Sequence, residues 1–309
     1  MIDPRLHTLR VLHAQGTVTA TAAALHLTPS TVSQQLRLLA AELDVELLRP
    51  EGRRVRLTPA ALTLVAYADG LHARWEEAEA ALDRHRSGAA GHVRVSAVGS
   101  ALAALVAPAL RALRTEVPDI TCQLTEDPGE DRSSLLLTDR TDIAVVIPAP
   151  GDPLPDEARV ERWPLLTEPL DLLVADGHAF ASRDEVELTE AAAETWIRAG
   201  DLADQHPLLL HAAASAGFTP RLAHGAVDWY AVAALVGSGH GICLLPRLAP
   251  LPAGLLVRRV PLAGRHTPTR SLVACVRRGS AGQPVIARTL TALETTARET
   301  ARAWERGSR

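Results

Sequence analysis

The sequence predicts a small helical head with a two-stranded wing, one long connecting helix, and a larger α/β domain. Three observations predict it. Asp3-Pro4, Thr28-Pro29 and Thr58-Pro59 each read as a helix start, an N-cap residue followed by proline at the first helical position. Between residues 58 and 88 apolar residues recur every seven positions. From His92 onward strand-like and helix-like runs alternate, which argues for parallel or mixed sheets covered by helices. A length of 309 residues suits two or three domains, and 47% hydrophobic with 22% charged residues excludes a disordered chain.

Aromatic residues make up only 3% of the chain, so the core must rest on Leu, Val and Ala. Lysine is absent, and all 32 basic residues are arginine, whose planar fork suits phosphate. The net charge is −4, but residues 1–60 carry seven Arg against five acids, a local +2 that leaves −6 for the remainder. Cys122, Cys243 and Cys275 are far apart, with no Cys/His cluster, so neither a disulfide framework nor a zinc site is expected. Their apolar neighbours suggest core thiols. No metal and no cofactor is expected. The start MIDPRLHTLR has no apolar signal region, and no uninterrupted apolar run reaches the length of a membrane span. The expectation is a cytoplasmic protein with no membrane partner.

The first helix starts at Asp3-Pro4, carries Leu6, Leu9 and Leu12 at helical spacing, and ends at Gly16. Thr19 is expected to cap a short helix over 20–25, whose alanines allow close packing. The third helix, over 30–39, has Val32, Leu36 and Leu39 on one side. Thr28, Ser30, Thr31, Ser33, Gln34, Gln35 and Arg37 occupy its other side or its start, and no acid occurs from Thr28 to Ala41. A helix entering the major groove uses such residues: Gln can read adenine by two hydrogen bonds, and Ser or Thr can reach bases or phosphates. A plain solvated polar face fits this helix alone equally well. Two short strands, 47–49 and 53–57, then flank Pro50-Glu51-Gly52, placing Arg53 and Arg54 near the tip of a basic hairpin. Such a wing can reach phosphate or the minor groove.

The run GTVTATAAALHLTPSTVSQQLRLLAAELDVELLRPEGRRVRLTPAA resembles the DNA-binding domain of LysR-type regulators over almost its whole length. The likeness rests on Val32-Ser33, Leu43, Leu47 and Gly52-Arg53-Arg54. It implies a winged helix-turn-helix in which Ser30, Thr31, Ser33 and Gln34 meet bases or nearby phosphates and Arg53 enters the minor groove. Two departures bear on which operator is read. Gln34 stands where the family often has Arg, and Pro29-Ser30 where it often has Gln-Pro.

In the long helix, Ala61, Ala68, Trp75 and Leu82 form one heptad series, and Leu64, Leu71 and Ala78 the other. This is an a/d seam of about three heptads, closed by Ser87-Gly88. A helix packed on its own domain is the alternative. LysR-type proteins dimerise through the corresponding helix, so a homodimer or homotetramer is expected, with twofold pairing matched to DNA half-sites.

Beyond it, the residues predict strands at 93–97, 120–124, 142–147, 170–175, 196–199, 222–227, 242–245 and 270–277. Helices are expected at 101–113, 207–216, 229–236 and near 285–304. Asp142-Ile143-Ala144, Gly217-Phe218-Thr219-Pro220 and the run from Leu235 to Pro246 resemble the LysR effector domain, which shares the periplasmic-binding-protein architecture. The resemblance implies one lobe of 92–161 and 269–295, another of 163–265, and a tail over 296–309. A small-molecule effector would bind between the lobes. Ser100 is the leading contact, a hydroxyl at a helix start beside Ala101. The resemblance adds Asp127 and Pro128, Ile147 and Pro148, and Ala199, Gly200 and Asp201. Asp201 departs from a carboxylate-binding pattern and would suit an amine.

No GxSxG, HExxH or Walker A sequence occurs, and GSGHGI lacks the last glycine of a dinucleotide fingerprint. An enzyme with a fused DNA-binding head and a solute-transport protein are the alternatives. A transport protein would not bind promoter DNA. The residues together point to a regulator of transcription, with no catalytic site, whose partners are double-stranded DNA and an effector.

Overall fold

The computed structural model describes residues 2–51, 54–83, 91–126, 132–148, 159–200, 205–251, 253–265 and 267–307. The head contains α1 (Pro4–Gln15), α2 (Val18–Ala24) and α3 (Pro29–Glu42), then β1 (Leu48–Glu51) and β2 (Arg54–Leu57) paired antiparallel. Asp3 accepts from the Arg5 N–H at the start of α1, and Gly16 ends that helix in the left-handed region at φ 71°. The cap of α2 is Thr17, not Thr19: its hydroxyl accepts from the Ala20 N–H at 3.1 Å, which starts the helix two residues earlier. Leu9, Leu12, Val32, Leu36, Leu39 and Leu47 bury the head's core against Ala61 and Val65 of the next helix.

That helix, α4 (Pro59–Asp83), is capped by Thr58, whose Oγ1 accepts from the Ala61 N–H. Its packing corrects the heptad reading. Ala61 and Ala68 are buried in the chain's own interior, together with Val65, Asp69, Ala73, Glu76 and Ala80. The residues turned outward are Tyr67, Leu71, Trp75, Ala78 and Leu82, with Leu64 half-buried. Asp69 receives Arg10 Nε of α1 at 2.5 Å and Arg159 Nε of the C-terminal part at 2.6 Å. Glu76 Oε1 receives Arg277 Nε at 2.9 Å. Gly279 packs so close that a Cβ there would collide with the Ala73 carbonyl, and its φ of 89° also favours glycine. The helix therefore has one face buried in its own chain and one exposed apolar face.

The C-terminal part holds β3 (Gly91–Ala97), α5 (Gly99–Ala101), α6 (Ala107–Glu116), β4 (Ile120–Glu126), α7 (Arg132–Leu137), β5 (Ile143–Val146) and β6 (Val160–Ala175). It continues with β7 (Val186–Glu187), β8 (Thr195–Ala199), α8 (Gln205–Ser215), β9 (Arg221–Ala226), α9 (Trp229–Gly237) and β10 (Cys243–Pro246). β11 (Val257–Val260), β12 (Leu262–Ala263), β13 (Thr269–Arg277) and α10 (Pro284–Gly307) complete it. The largest sheet has the order β10-β6-β13-β5-β3-β4, with β11 also on β6. β6 is one uninterrupted 16-residue strand. Its first two-thirds pair with β13 and its last third with β10 and β11, so this strand carries the chain between the lobes. β8 and β9 form a small parallel sheet. The helix expected over 101–113 is broken by a π-helical turn, Leu102–Val106. Pro108 lacks the N–H that would bond the Ala104 carbonyl, and its ring crowds that carbonyl.

Candidate DNA-reading face and effector cleft

α3 lies with Val32, Leu36 and Leu39 inward and its first turn at the surface. Thr28 caps it, accepting from the Thr31 N–H at 3.1 Å. The Thr28 hydroxyl also lies 2.7 Å from Ser30 Oγ and 2.8 Å from Thr31 Oγ1, a cluster of three hydroxyls at the positive end of a helix. Gln34 and Arg37 are exposed, Ser33 is half-buried, and Arg37 Nε donates to the Ser33 carbonyl at 3.2 Å. Gln35 departs from the predicted reading face. Its Oε1 accepts from the buried Thr8 hydroxyl at 2.6 Å, which ties α3 to α1. Arg54 opens β2, and Arg53 lies outside the described residues. Arg56 is exposed on β2, while Arg49 Nε on β1 donates to Glu46 at 2.8 Å.

Between the lobes, Ser100 is buried at the start of α5, and its Oγ accepts from Arg270 Nη2 at 2.6 Å. Arg270 Nε donates to Glu168 Oε1 at 2.6 Å, and Nη1 reaches Gln205 Oε1 at 3.3 Å. The second Glu168 oxygen accepts from the Leu248 N–H at 2.7 Å. The start of α5, the strands β6 and β13, and α8 thus meet at one buried ion pair. Ala101, Ile147 and Ala199 pack their side chains into the core, so only their backbone can face a ligand. Pro148 is half-buried, and Gly200 has φ 72° with its N–H on the Ala226 carbonyl. Asp127, Pro128 and Asp201 lie outside the described residues. Within the second lobe, a cavity of about 10 Å³ lies among Ile197, Ala199, Gln205, His206 and Leu244. The His206 Nδ1 there is buried without a hydrogen-bond partner among the described residues.

The structure brings Ser100, which the sequence singles out, together with Glu168, Gln205 and Arg270, which it does not. The available signal was a charge inside a strand pattern otherwise rich in apolar residues, at Glu168 and Arg270. Burial pushes the Cys243 thiol up to about 12 and the Cys275 thiol up to about 11, so both are core groups.

A helical head with an exposed polar helix face and a wing, joined to a two-lobed α/β domain, has the architecture of a DNA-binding regulator with a sensor domain. The family profile described as bacterial regulatory helix-turn-helix protein, lysR family, matches residues 4–62, and the LysR substrate binding domain matches residues 86–298. The chain belongs to the LysR family. It is 27% identical over 235 residues to the nitrogen assimilation regulatory protein nac of Klebsiella aerogenes, covering 76% of this chain and 74% of that one. It is 25% identical over 277 residues to the transcriptional regulator MetR of Haemophilus influenzae, covering 88% and 87%. Among solved structures, a full-length single-site variant of OxyR from Pseudomonas aeruginosa superposes with a TM-score of 0.66 at 20% identity, covering 96% of this chain and 97% of that one. Full-length CbnR in complex with its target DNA superposes at 0.56 and 22% identity, covering 96% and 100%. The protein is a transcriptional regulator with a DNA-binding domain and an effector-binding domain, and not an enzyme. Among the described residues, no helix is long and apolar enough to cross a membrane.

Proposed function

We propose that α3 reads an operator with Ser33 and Gln34 at base edges, while Thr28, Ser30, Thr31 and Arg37 hold the adjacent phosphates. Arg53 and Arg54 extend the contact from the wing into the minor groove. The observation that carries this reading is the exposed hydroxyl and amide face at the start of α3, on a helix whose other side is buried. Two chains pair through the outward stripe of α4: Leu64, Tyr67, Leu71, Trp75, Ala78 and Leu82. Pairs of these dimers place four heads on DNA. The effector seats against Ser100, Arg270 and Gln205, with the backbone at Ala101, Ile147, Pro148, Ala199 and Gly200 and the loops of Asp127, Pro128 and Asp201 around it. The working compartment is the cytoplasm, where the DNA is.

The test is a gel-shift titration against DNA from the protein's own upstream region, in moderate salt with excess competitor. A discrete complex, lost when Gln34 and Ser33 are both replaced by alanine, supports the reading. Equal affinity of that double variant overturns the assignment of the reading face.

A further inference from the structure

We propose that His72, Glu76 and Asp139 form a site for a first-row divalent transition metal of the zinc class, which would join the long helix to the first sensor lobe. His72 and Glu76 stand one helical turn apart on the inward face of α4. His72 Nε2 lies 3.4 Å from Glu76 Oε1. Two ligands at about 2.0–2.1 Å from a tetrahedral zinc lie about 3.4 Å apart, so the pair already has the edge length of such a site. Asp139 comes from the turn between α7 and β5, in the left-handed region at φ 55°. One ligand atom from each of the three residues lies within 4.8 Å of the other two. Imidazole with two carboxylates is a donor set suited to zinc, cobalt and nickel.

The surroundings hold these groups in place. Gln283 Nε2 donates to Glu76 Oε2 at 2.8 Å, which leaves Oε1 facing His72. Arg277 Nε donates to Oε1 at 2.9 Å and lies 3.3 Å from Asp139 Oδ1. A carboxylate oxygen has two lone pairs, so one can accept from Arg277 while the other faces a metal, the usual arrangement of an outer shell. The guanidinium keeps further acceptors in Asp142 and the Thr141 carbonyl. A cavity of about 330 Å³ between α1, α4 and the Asp139 turn gives an ion access. His7 lines the same cavity, its ring centroid 6.5 Å from that of His72, and it or water can complete the coordination. The spacing of 63 residues between Glu76 and Asp139 hides the site from any sequence motif.

The experiment uses the full chain, stripped with a chelator and titrated with Co²⁺, followed by displacement with Zn²⁺ in a calorimeter. The expected result is one ion per chain, with the strong visible bands of four-coordinate cobalt. His72→Ala and Asp139→Asn each weaken binding by about tenfold or more. The Asp139 side chain is half exposed, so its variant keeps the fold, which circular dichroism verifies. His240→Ala, which removes one ring of the exposed His224–His240 pair at 5.3 Å, leaves the affinity unchanged. Three results would overturn the proposal: no cobalt bands, equal affinity in His72→Ala and Asp139→Asn, or loss of binding in His240→Ala. A thiolate-to-cobalt band in the near ultraviolet would place the ion on Cys122 and overturn it too.

Discussion

The proposed reading face of α3 and the proposed effector site between the lobes would solve recognition in opposite ways. α3 offers hydroxyls and an amide, uncharged at its start, to the solvent, and its geometry comes from one local helix. The cleft gathers Ser100, Glu168, Gln205 and Arg270 from four distant segments around a buried ion pair. A polyanion of uniform shape can be met by a rigid exposed face. A small ligand must be enclosed, so its polar groups have to be kept satisfied while it is absent. The difference predicts that substitutions in the cleft act first on folding, and those on α3 act only on binding.

The largest effect is expected at Glu168. Glu168→Gln removes the carboxylate charge that faces the buried Arg270 guanidinium, which should lower stability in urea unfolding of the full chain. Replacing both partners, Glu168→Gln with Arg270→Met, should recover part of the loss, because both charges of this buried pair are removed together. If Glu168→Gln alone is neutral, the cleft is more open to water than its burial indicates, and the contrast with α3 collapses.

Next in size is the outward stripe of α4. Trp75→Asp puts a charge in the centre of exposed Tyr67, Leu71 and Leu82. Sedimentation should show dissociation to single chains, with little change in the helical signal. A Trp75→Asp protein that stays dimeric would assign pairing to another surface. Ala68→Asp should instead unfold the chain locally, because Ala68 is buried in its own domain.

These pairs of residues show what the sequence made legible. Helix starts at Asp3, Thr28 and Thr58, and most strands of the C-terminal part, could be read because capping and periodicity are local. The seven-residue repeat was real, but the helix turns on a period of 3.6, and two buried ion pairs decide which edge of its apolar stripe faces inward. Nothing near Asp69 in the sequence points to Arg159. Gln35 was misread for the same reason: its neighbours on α3 are surface residues, and only the approach of Thr8 from α1 turns it inward. Ser100 was legible as a hydroxyl at a helix start, whereas Arg270 pairs with a residue 102 positions away.

On the reading face, Gln34→Ala should weaken operator binding by about 1–3 kcal/mol and relax preference at one base pair. Gln35→Ala tests the opposite assignment. Removing the Thr8 partner should lower stability by about 1 kcal/mol and leave the operator affinity of folded protein unchanged. If Gln35→Ala weakens binding as much as Gln34→Ala does, the inward orientation of Gln35 is lost on DNA and α3 shifts against α1 when it binds.

The smallest expected signal is chemical. Only the thiolate reacts with alkylating reagents, and burial holds Cys243 near 12 and Cys275 near 11, far above neutral pH. Cys122 sits half-buried on β4, an edge strand, with no such enclosure. In native protein at neutral pH, mass spectrometry should find label on Cys122 alone, and on all three thiols after unfolding. Cys243 pairs with Leu173 on the part of β6 that belongs to the second lobe, and Cys275 pairs with Arg162 on the part that belongs to the first. Their labelling rates therefore report separately on the two lobes. Label on Cys243 in native protein, with none on Cys275, would mean that the second lobe opens by itself, and that access to the cleft comes from loosening within a lobe and not from a hinge between two rigid ones.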